Sequence, residues 1–379
     1  MWEKVKLGDV CEIVAGQSPS SNTYNQEKKG LPFFQGKADF GLIYPTVRYW
    51  CTSPIKISEP NDILFSLRAP VGPTNINNIK ACIGRGLAAI RIASQINLYY
   101  LLHYLRLNEN RIAELGTGST FKAITIGTLK ELEIPLPPLP IQEKIAEILD
   151  KADELRRKDK DLQAKYDELA QAIFIDMFGD PVRNEKGWEV KNGINVLSVL
   201  GGNAFKSSSY VNAGIPLLRI GSVNKGYYDK SQQVYISESS NFDKYKIYPN
   251  DLLVTLTGTV GKDDYGNICM IGHDFPFYYL NQRVAKITTD LNKTYLMYLL
   301  KQKEIKKELI GVSRGVRQAN IGNNDFYKLN LPVPPLHLQQ SFAKKIELIN
   351  QLKAQTNAEK SEELFQSLLQ KAFKGELVS

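Results

Sequence analysis

The sequence contains an internal repeat, and a repeat of this length constrains the fold more than any local pattern does. The run IPLPPL at residues 134–139 returns as LPVPPL at residues 331–336. A glutamine and a long charged helical pattern follow each run. A globular-looking stretch of similar size precedes each one. The repeat therefore predicts a pseudo-symmetric molecule built from two copies of one unit, which suits a target with two parts.

The two copies can be aligned beyond the proline runs. The matching segments are 2–6 with 188–191, 32–36 with 216–221, 61–67 with 250–256, 84–88 with 281–285, and 98–102 with 294–298. The order is the same in both halves, which predicts four pieces. They are a first module at 1–134, a proline hinge and spacer helix at 135–180, a second module at 181–330, and a second hinge and helix at 331–379.

Each module has the pattern of a mixed α+β fold. The apolar runs Ile63–Leu67 and Leu252–Leu256 are bounded by Asn-Asp and Gly or Pro, which predicts strands. Leu98–Leu107 and Tyr295–Leu309 have helical periodicity. Neither module shows the regular strand–helix alternation of a doubly wound sheet, so we expect a strongly bent sheet in each.

The spacer segments have the pattern of two long helices that pair as an antiparallel coiled coil. In the first helix, Ile141–Phe178, which would be roughly 57 Å long, apolar residues follow alternating steps of four and three. These seam residues are Ile145, Ile148, Ala152, Leu155, Leu162, Tyr166, Leu169 and Ile173. The second helix is expected from about Leu338 to Phe373. Its acidic middle, with Glu359, Glu362 and Glu363, would face the basic middle of the first at 156–161.

Composition narrows the function classes. The net charge of +8 favours a polyanion as partner, although only mildly. Four cysteines without CxxC spacing and three histidines argue against a zinc site and indicate buried thiols in a reducing compartment. The first residues contain no signal-peptide pattern, and no apolar run is long enough to span a membrane, so we expect a cytoplasmic protein. Nucleotide-loop, hydrolase and amino-methyltransferase motifs are missing from the sequence, which predicts no catalytic residues and no metal site in this chain.

The polar turns of the modules contain candidate DNA contacts. A glycine-rich loop precedes Ile124 in the first module and Ile321 in the second, and small residues let a backbone approach a partner closely. Lysine and arginine contact phosphates, and arginine or glutamine can read base edges. Taken singly, each of these residues is explained better by a solvated basic surface, but two matched sets favour recognition. The candidates are Arg68, Arg85, Thr120, Lys122, Arg219, Lys262, Gln282, Arg283, Arg314, Arg317 and Gln318.

These segments resemble one known family. The run PLPPLPIQEKI at 135–145, FQGK at 34–37, SLRAPVG at 66–72 and GRGLA at 84–88 are similar to the specificity subunit of type I restriction–modification enzymes. The likeness covers nearly the whole chain, and its specificity lies in the ordered, duplicated set. The second half departs from the first, with TGT at 257–259 and NQR at 281–283, as expected for two domains that read different sequences.

The resemblance implies a division of labour. Each module would be a target recognition domain that binds one half of a bipartite double-stranded DNA target. The helices would set the spacing and dock two methyltransferase subunits. Catalysis would belong to those subunits and to restriction subunits, which would use S-adenosylmethionine, ATP and Mg²⁺. This chain itself would need no cofactor.

Three other interpretations stay open on the sequence alone. The same fold could serve a fused or bifunctional restriction enzyme whose catalysis lies in another chain. A helical scaffold that binds partners without touching DNA is the main alternative from a different class, and the basic loops argue against it. A free-standing enzyme is the least favoured, because no catalytic motif is present.

Overall fold

The two halves of the chain have similar successions of helices and strands. The structure, a computed structural model, describes residues 2–118, 122–259, 264–310 and 318–378. The strands of the first half are β1 Lys4–Lys6, β2 Cys11–Ala15, β3 Tyr24–Asn25, β4 Leu31–Phe34, β5 Tyr49–Cys51, β6 Ile57–Ser58, β7 Ile63–Ser66, β8 Thr74–Ile76, β9 Ala81–Ile83, β10 Leu87–Ile92 and β11 Glu133–Pro135. Its helices are α1 Leu7–Val10, α2 Leu98–Leu107, α3 Glu109–Glu114, α4 Ile126–Lys130 and the long α5 Leu139–Phe178.

The second half repeats this arrangement. Its strands are β12 Glu189–Asn192, β13 Leu197–Gly201, β14 Tyr210–Val211, β15 Ile215–Leu218, β16 Tyr235–Ile236, β17 Lys246–Ile247, β18 Leu252–Thr255, β19 Thr257–Thr259, β20 Ile268–Met270, β21 Tyr278–Leu280, β22 Val284–Thr289, β23 Gln318–Asn320 and β24 Asn330–Val333. Its helices are α6 Ile220–Val223, α7 Lys293–Leu300, α8 Lys303–Ile310, α9 Asn323–Tyr327, α10 Leu336–Gln355 and α11 Ala358–Lys374. Within the described ranges, no helix has both the length and the apolar character that a membrane span requires.

Tertiary contacts divide the chain into two compact units. The first contains residues 1–161 and 357–379, and the second contains residues 162–356. Helix α5 therefore contributes its first part to one unit and its last part to the other. The predicted boundaries after residues 134, 180 and 330 divide the chain more finely, because they separate modules from helices. These boundaries stay a prediction.

The sheets of the first unit have an order that returns in the second. In the first, an antiparallel sheet has the order β2-β10-β7-β8, and a five-stranded sheet has the order β3-β5-β4-β9-β6 with β4 and β9 parallel. In the second, the orders are β13-β22-β18-β20 and β14-β16-β15-β21-β17 with β15 and β21 parallel. The α+β repeat predicted from the sequence is thereby confirmed.

The local predictions for the modules hold with one exception. The predicted strands correspond to β7 and β18, and the first predicted helix is α2. The helix predicted over Tyr295–Leu309 is wrong as one piece, because it is interrupted between α7 and α8. At the interruption, the buried side chain of Gln302 donates to the carbonyl of Tyr298 at 3.0 Å and accepts from Gln171 of α5 at 2.8 Å. These bonds secure a turn that apolar spacing does not reveal.

The first unit contains an antiparallel pairing of α5 with α11. Ile145 and Leu149 of α5 share one buried core with Phe365 and Leu369 of α11. The guanidinium of Arg156 lies 4.6 Å from the centre of the Phe365 ring. Lys160, one turn after Arg156 on α5, contacts Glu362, which lies one turn before Phe365 on α11. The two helices therefore run in opposite directions.

That lysine belongs to a small charge cluster between the two helices. Glu362 accepts from Lys160 at 2.7 Å and from Arg156 at 3.2 Å. The hydrogen bond from Lys160 is the largest of several causes that lower the pKa of Glu362 to about 2. The acidic middle of the second spacer segment therefore meets the basic middle of the first, as the sequence predicts.

The second unit has its own antiparallel pair, formed by α5 and α10. Phe174 and Phe342 have their ring centres 5.5 Å apart in the core, and Asp167 accepts from Lys353 at 2.6 Å. Residues later in α5 thus face residues earlier in α10. The antiparallel pairing is the same in both units.

Two details of the helical prediction are wrong. The second spacer segment is two helices, because Thr356 is extended between α10 and α11 and its hydroxyl donates to the carbonyl of Lys353 at 2.6 Å. The predicted seam is also shifted. Leu155, Leu162 and Leu169 are 41–48% exposed. Ile145 and Ala152 of the predicted seam are buried, but the buried stripe departs from the leucines because each part of the helix also packs against a module. The other buried residues of the stripe are Ala146, Leu149, Ala170, Phe174 and Phe178.

A buried glutamine joins each proline run to its module. The Gln142 side chain accepts from the backbone N–H of Asn97 at 2.8 Å and donates to the carbonyls of Gln95 and Pro137 at 3.0 and 2.8 Å. Gln339 accepts from Asn292 at 2.8 Å and donates to the carbonyl of Pro334 at 2.7 Å. The proline runs are therefore fixed junctions.

We expect Gln339→Leu to destabilise the protein by about 2–4 kcal/mol, because each buried backbone group left without a partner costs about 1–3 kcal/mol. Denaturant unfolding of the purified chain measures this change. Gln351→Leu is the matched control, since Gln351 is exposed on the same helix. Equal unfolding midpoints for the two variants would contradict the structural role of Gln339.

We also expect a pH dependence from Glu362. Its pKa is lowered from 4.5 to about 2, so its ion pairs contribute stability that is fully present above pH 4.5 and is lost as the pH falls through 2. Wild type should therefore lose more stability between pH 5 and pH 2 than Glu362→Gln, measured by thermal unfolding. Glu359→Gln, on the exposed side of α11, should behave like wild type.

Candidate nucleic-acid interface

Three distant segments of the first module meet at Leu67. Its N–H donates to the carbonyl of Gly86 at 2.9 Å, and its carbonyl accepts from the N–H of Ile124 at 3.0 Å. The next residue, Arg68, forms an antiparallel bridge with Ala123. These bonds place the turn after β7, the turn before β10 and the segment before α4 side by side.

The three segments carry three of the residues singled out from the sequence. Arg68, Arg85 and Lys122 are all exposed, and we call this set the first basic edge. Neither guanidinium forms an ion pair or side-chain hydrogen bond with the part of the chain that the structure describes. Unpaired cations that a fixed backbone holds together are available to an anionic partner. Thr120 lies outside the described residues.

Close backbone packing holds the Arg85 turn in position. The N–H of Gly84 donates to the carbonyl of Phe34 at 2.8 Å, and the N–H of Arg85 donates to the hydroxyl of Ser18 at 3.3 Å. A Cβ at Gly86 would lie 2.4 Å from the carbonyl oxygen of Gln35, a distance that no real side chain tolerates. Glycine is therefore required here by space.

The Gln35 segment is itself held by a buried carboxylate. Asp39, 3% exposed, accepts from the N–H of Gln35 at 2.7 Å and from the guanidinium of Arg48 at 2.5 Å. These bonds hold the pKa of Arg48 above its ordinary value. The Arg85 turn thus rests on a second loop that is fixed by charge.

The second module makes the same backbone connections at Leu256. Its N–H donates to the carbonyl of Arg283 at 2.9 Å, and its carbonyl accepts from the N–H of Ile321 at 2.8 Å. Thr257 of β19 pairs with Asn320 of β23, in the place of the Arg68 bridge. The match of 84–88 with 281–285 is therefore correct in three dimensions.

The side chains at this second site differ from those of the first. Gln282 and Arg283 are exposed, and with Arg219 they line an open cleft of about 390 Å³. The Arg219 guanidinium lies 5.7 Å from the centre of the Tyr210 ring, at the same cleft. We call Arg219, Gln282 and Arg283 the second edge.

Several other candidates have no described side chain. Lys262, Arg314 and Arg317 lie outside the described residues, as does the side chain of Gln318. The backbone of Gln318 is described, and it pairs with Thr259.

Sequence reasoning missed some residues at both edges. Ser18 supports the Arg85 turn, and Phe205 and Tyr210 line the cleft of the second edge. No local pattern marks them, because each meets its neighbours only through segments far away in the sequence. The Nε2 of His103 lies 2.8 Å from Asp150 Oδ1, where α2 packs on α5. That pair joins the two helices.

The cysteines are structural. Cys11, Cys51, Cys82 and Cys269 are all free and buried, as the sequence predicts. Burial raises the pKa of both Cys11 and Cys269 to about 12, so neither is a reactive thiolate at neutral pH. Among the described residues, no group of three or more His, Cys, Asp or Glu side chains is placed to hold a metal ion.

Comparison with known families agrees with this duplicated arrangement. The family model for the type I restriction modification DNA specificity domain matches residues 1–164 and 185–366. The chain belongs to this family. Both halves carry a match, so the resemblance noted in the sequence is confirmed.

Individual relatives show how far the likeness extends. The chain is 28% identical over 374 residues to the type I restriction enzyme MjaIX specificity subunit of Methanocaldococcus jannaschii, which covers 90% of this chain and 85% of that one. It is 45% identical over 166 residues to the provisionally named MjaX specificity subunit of the same organism, an alignment that spans 42% of this chain and only 39% of that relative. The crystal structure of the type I restriction–modification S subunit from M. genitalium has the same fold, with a TM-score of 0.62, 18% identity and coverage of 98% of this chain and 96% of that one.

We expect Gly86→Ala to lower stability by about 1–3 kcal/mol, because the added methyl group forces the Arg85 turn away from Gln35. Thermal unfolding of the purified chain measures it. The matched control is Gly36→Ala on the adjoining loop, where a Cβ meets nothing within 4 Å. Equal melting temperatures for the two variants would contradict the space argument.

Proposed function

We propose that this chain is the DNA-recognition subunit of a type I restriction–modification complex, and that each module reads one half of a bipartite target. In this proposal the target recognition domains are residues 1–134 and 181–330. One structural observation supports this proposal more strongly than the others. Equivalent backbone hydrogen bonds build the first basic edge and the second edge, while the side chains presented there differ. A common frame with different side chains suits two readers of two different half-sites.

The chemistry of each edge suits duplex DNA. A guanidinium can contact a guanine through two acceptors, and a glutamine amide can do the same with adenine. Arg68 and Arg85 on the first basic edge, and Gln282 and Arg283 on the second edge, are the proposed base readers. Lys122 is the proposed phosphate contact of the first edge.

The candidates beyond the described residues belong to the same proposal. Thr259 and Gln318 pair at the second edge, so the segment that carries Lys262 begins there and the segment that carries Arg314 and Arg317 ends there. Gln318 itself would contact the same half-site. Thr120 precedes Lys122 by two residues and is assigned to the first half-site.

The spacer helices have the proposed task of setting the distance between half-sites and docking two methyltransferase subunits. Leu155, Leu162 and Leu169 lie seven residues apart on α5, so they share one face, and all three are exposed. An exposed apolar stripe of this kind is typical of a surface that another chain covers. The same stripe is what a scaffold without DNA binding would present, which makes a scaffold the second candidate function.

Catalysis is assigned to the partners. Methyltransferase subunits would use S-adenosylmethionine, and restriction subunits would use ATP and Mg²⁺. This chain would supply recognition only, within the cytoplasm, where the partners and the DNA are found.

The test replaces one edge at a time in the complex of this chain with its methyltransferase subunits. We expect Arg68→Ala with Arg85→Ala to weaken or relax reading of one half-site by about 10–100-fold for each base that is no longer read, since a bidentate pair is worth about 1–3 kcal/mol. Gln282→Ala with Arg283→Ala should affect the other half-site. Selection of bound duplexes from a random library measures both, and each double variant serves as the control for the other.

Three results would count against this proposal. If both double variants altered the same half-site, the assignment of one module to each half would be wrong. If either double variant changed the gap between the half-sites, the spacer helices would not be the sole determinant of that gap. If the wild-type complex bound no duplex at low salt, the scaffold would be the better account.

A further inference from the structure

A second basic cleft lies in each unit, between the module and the spacer helices. In the second unit it has a volume of about 640 Å³, and four lysines line it, namely Lys225, Lys301, Lys306 and Lys353. The acidic residue among its lining is Asp167, which already pairs with Lys353. Lysines therefore predominate among the charged residues of its lining, and the second edge does not include any of them.

Backbone hydrogen bonds join the wall of this cleft to the strand that leads into the second edge. Asn267, in its wall, donates its N–H to the hydroxyl of Thr255 at 3.0 Å, and Gly266 donates its N–H to the Thr255 carbonyl at 2.9 Å. Thr255 is followed by Leu256, where the segments of the second edge meet. A duplex held at that edge would therefore lie next to the mouth of the cleft.

Of the four lysines that line this cleft, Lys301 has the ammonium with the weakest contacts to other residues. Lys225 pairs with Asp229 at 2.7 Å, and Lys306 donates to Asn267 at 2.6 Å. The ammonium of Lys301 forms no ion pair or hydrogen bond with the residues that the structure describes. Its ammonium lies 6.0 Å from the centre of the Tyr298 ring. The residue is exposed as a whole, but the cleft walls desolvate its ammonium enough to lower its pKa.

The first unit has a corresponding cleft of about 490 Å³ in the equivalent place. Its lining includes the cations Lys37, Arg106 and Arg156 and the carboxylates Glu109 and Asp153, and Arg156 pairs with Asp153 and with Glu362. Pro73 also lines it, and its carbonyl accepts from the N–H of Ser66 at 2.9 Å. Ser66 precedes Leu67 of the first basic edge, as Thr255 precedes Leu256. The wall of this cleft is therefore also joined to the strand that leads into the edge, here β7.

The cations occupy matching positions of the repeat. In the structure Tyr100 is equivalent to Tyr295, because both donate to a carbonyl of the proline run, which shifts the predicted match of 98–102 with 294–298 by one residue. Arg106 follows Tyr100 by six residues, as Lys301 follows Tyr295. The guanidinium of Arg106 forms no ion pair or hydrogen bond with any described residue, and burial lowers its pKa. A desolvated cation without a partner is unfavourable, yet it stands at the same place in both units.

We propose that these two clefts bind the phosphate backbone of the duplex immediately beside each half-site, without reading its bases. The inference rests on the proposed function and adds phosphate contacts to the one assigned to Lys122 on the first basic edge. Lysine ammonium groups are point charges that suit phosphate oxygens. The attachment of each cleft wall to the strand that leads into an edge, β7 or β18, favours DNA over an acidic partner protein as the occupant. Contacts to phosphate fix the position of a duplex but carry no sequence information.

The test compares two double variants of equal charge in the complex of this chain with its methyltransferase subunits. Lys301→Gln with Lys306→Gln removes two cations from the cleft. Lys303→Gln with Lys307→Gln removes two exposed cations from α8 that do not line it. The probes are a duplex carrying the selected target and a duplex of random sequence, each titrated between low and high salt.

Log affinity falls as log salt rises, and we expect this negative slope to be less steep by about 2 in the cleft variant. The reason is that each phosphate contact contributes about 0.9 to the steepness. The control variant should keep the wild-type slope. The preferred target sequence should be the same in all three proteins. Equal slopes in the two double variants, or a changed target preference in the cleft variant, would overturn the inference.

Two further measurements separate the remaining outcomes. If the cleft variant kept its slope but lost affinity for the methyltransferase subunit, the cleft would be a protein docking site and the inference would be wrong. If wild type showed no salt-dependent binding, the proposed function itself would fail. If wild type bound DNA and the cleft variants had the same salt dependence as wild type, the inference about the clefts would be wrong and the proposed function would stand.

The first unit offers a second variant in case the double variant folds poorly. Arg106→Gln removes the unpaired cation of the first cleft and should lower the slope by about 1. Arg111→Gln is its control, since Arg111 is exposed on α3 and does not line the cleft. Equal slopes for this pair would also overturn the inference.

Discussion

The buried amide at the start of each spacer helix is the interaction on which the rest of the arrangement depends. The prolines of each run have no N–H to donate, and the carbonyls of the run still need partners when they are buried. Gln142 and Gln339 supply them, and each also accepts from the N–H that opens α2 or α7. The hydroxyls of Tyr100 and Tyr295 bond to the same runs from the module side. Each module is thereby joined to its helix with almost no freedom at the junction.

A fixed junction lets the surface of a module vary without disturbing its frame. The backbone bonds at Leu67 and Leu256 are equivalent, yet one edge carries Arg85 where the other carries Gln282. The basic clefts show the opposite behaviour, because Arg106 and Lys301 keep a cation while the residues around them change. Side chains that vary on a constant frame suit reading, and charges that persist suit a function common to both units.

The sequence was informative about whatever depends on the repeat. Matching segments 84–88 with 281–285 predicted the equivalent turns correctly, because aligned residues in a tandem repeat form the same backbone bonds. The seam of α5 was partly wrong at Leu155, Leu162 and Leu169, since apolar periodicity does not reveal which side of a helix a module covers. The break at Thr356 was missed because a polar segment can be a helix or a turn. Ser18 and Tyr210 were missed because only tertiary contacts bring them to the edges.

The first unit is discontinuous in sequence, and this affects how the protein is made. Phe365 and Leu369 of α11 belong to the core that the N-terminal module shares with α5, and Phe373 packs on Tyr100. During synthesis, the second unit is complete once residue 356 has left the ribosome. The earlier-made module must wait for α11 with part of its apolar core uncovered. The usual order, in which the N-terminal domain folds first, is therefore reversed here, and chaperones would be most needed by the half of the chain that is translated first.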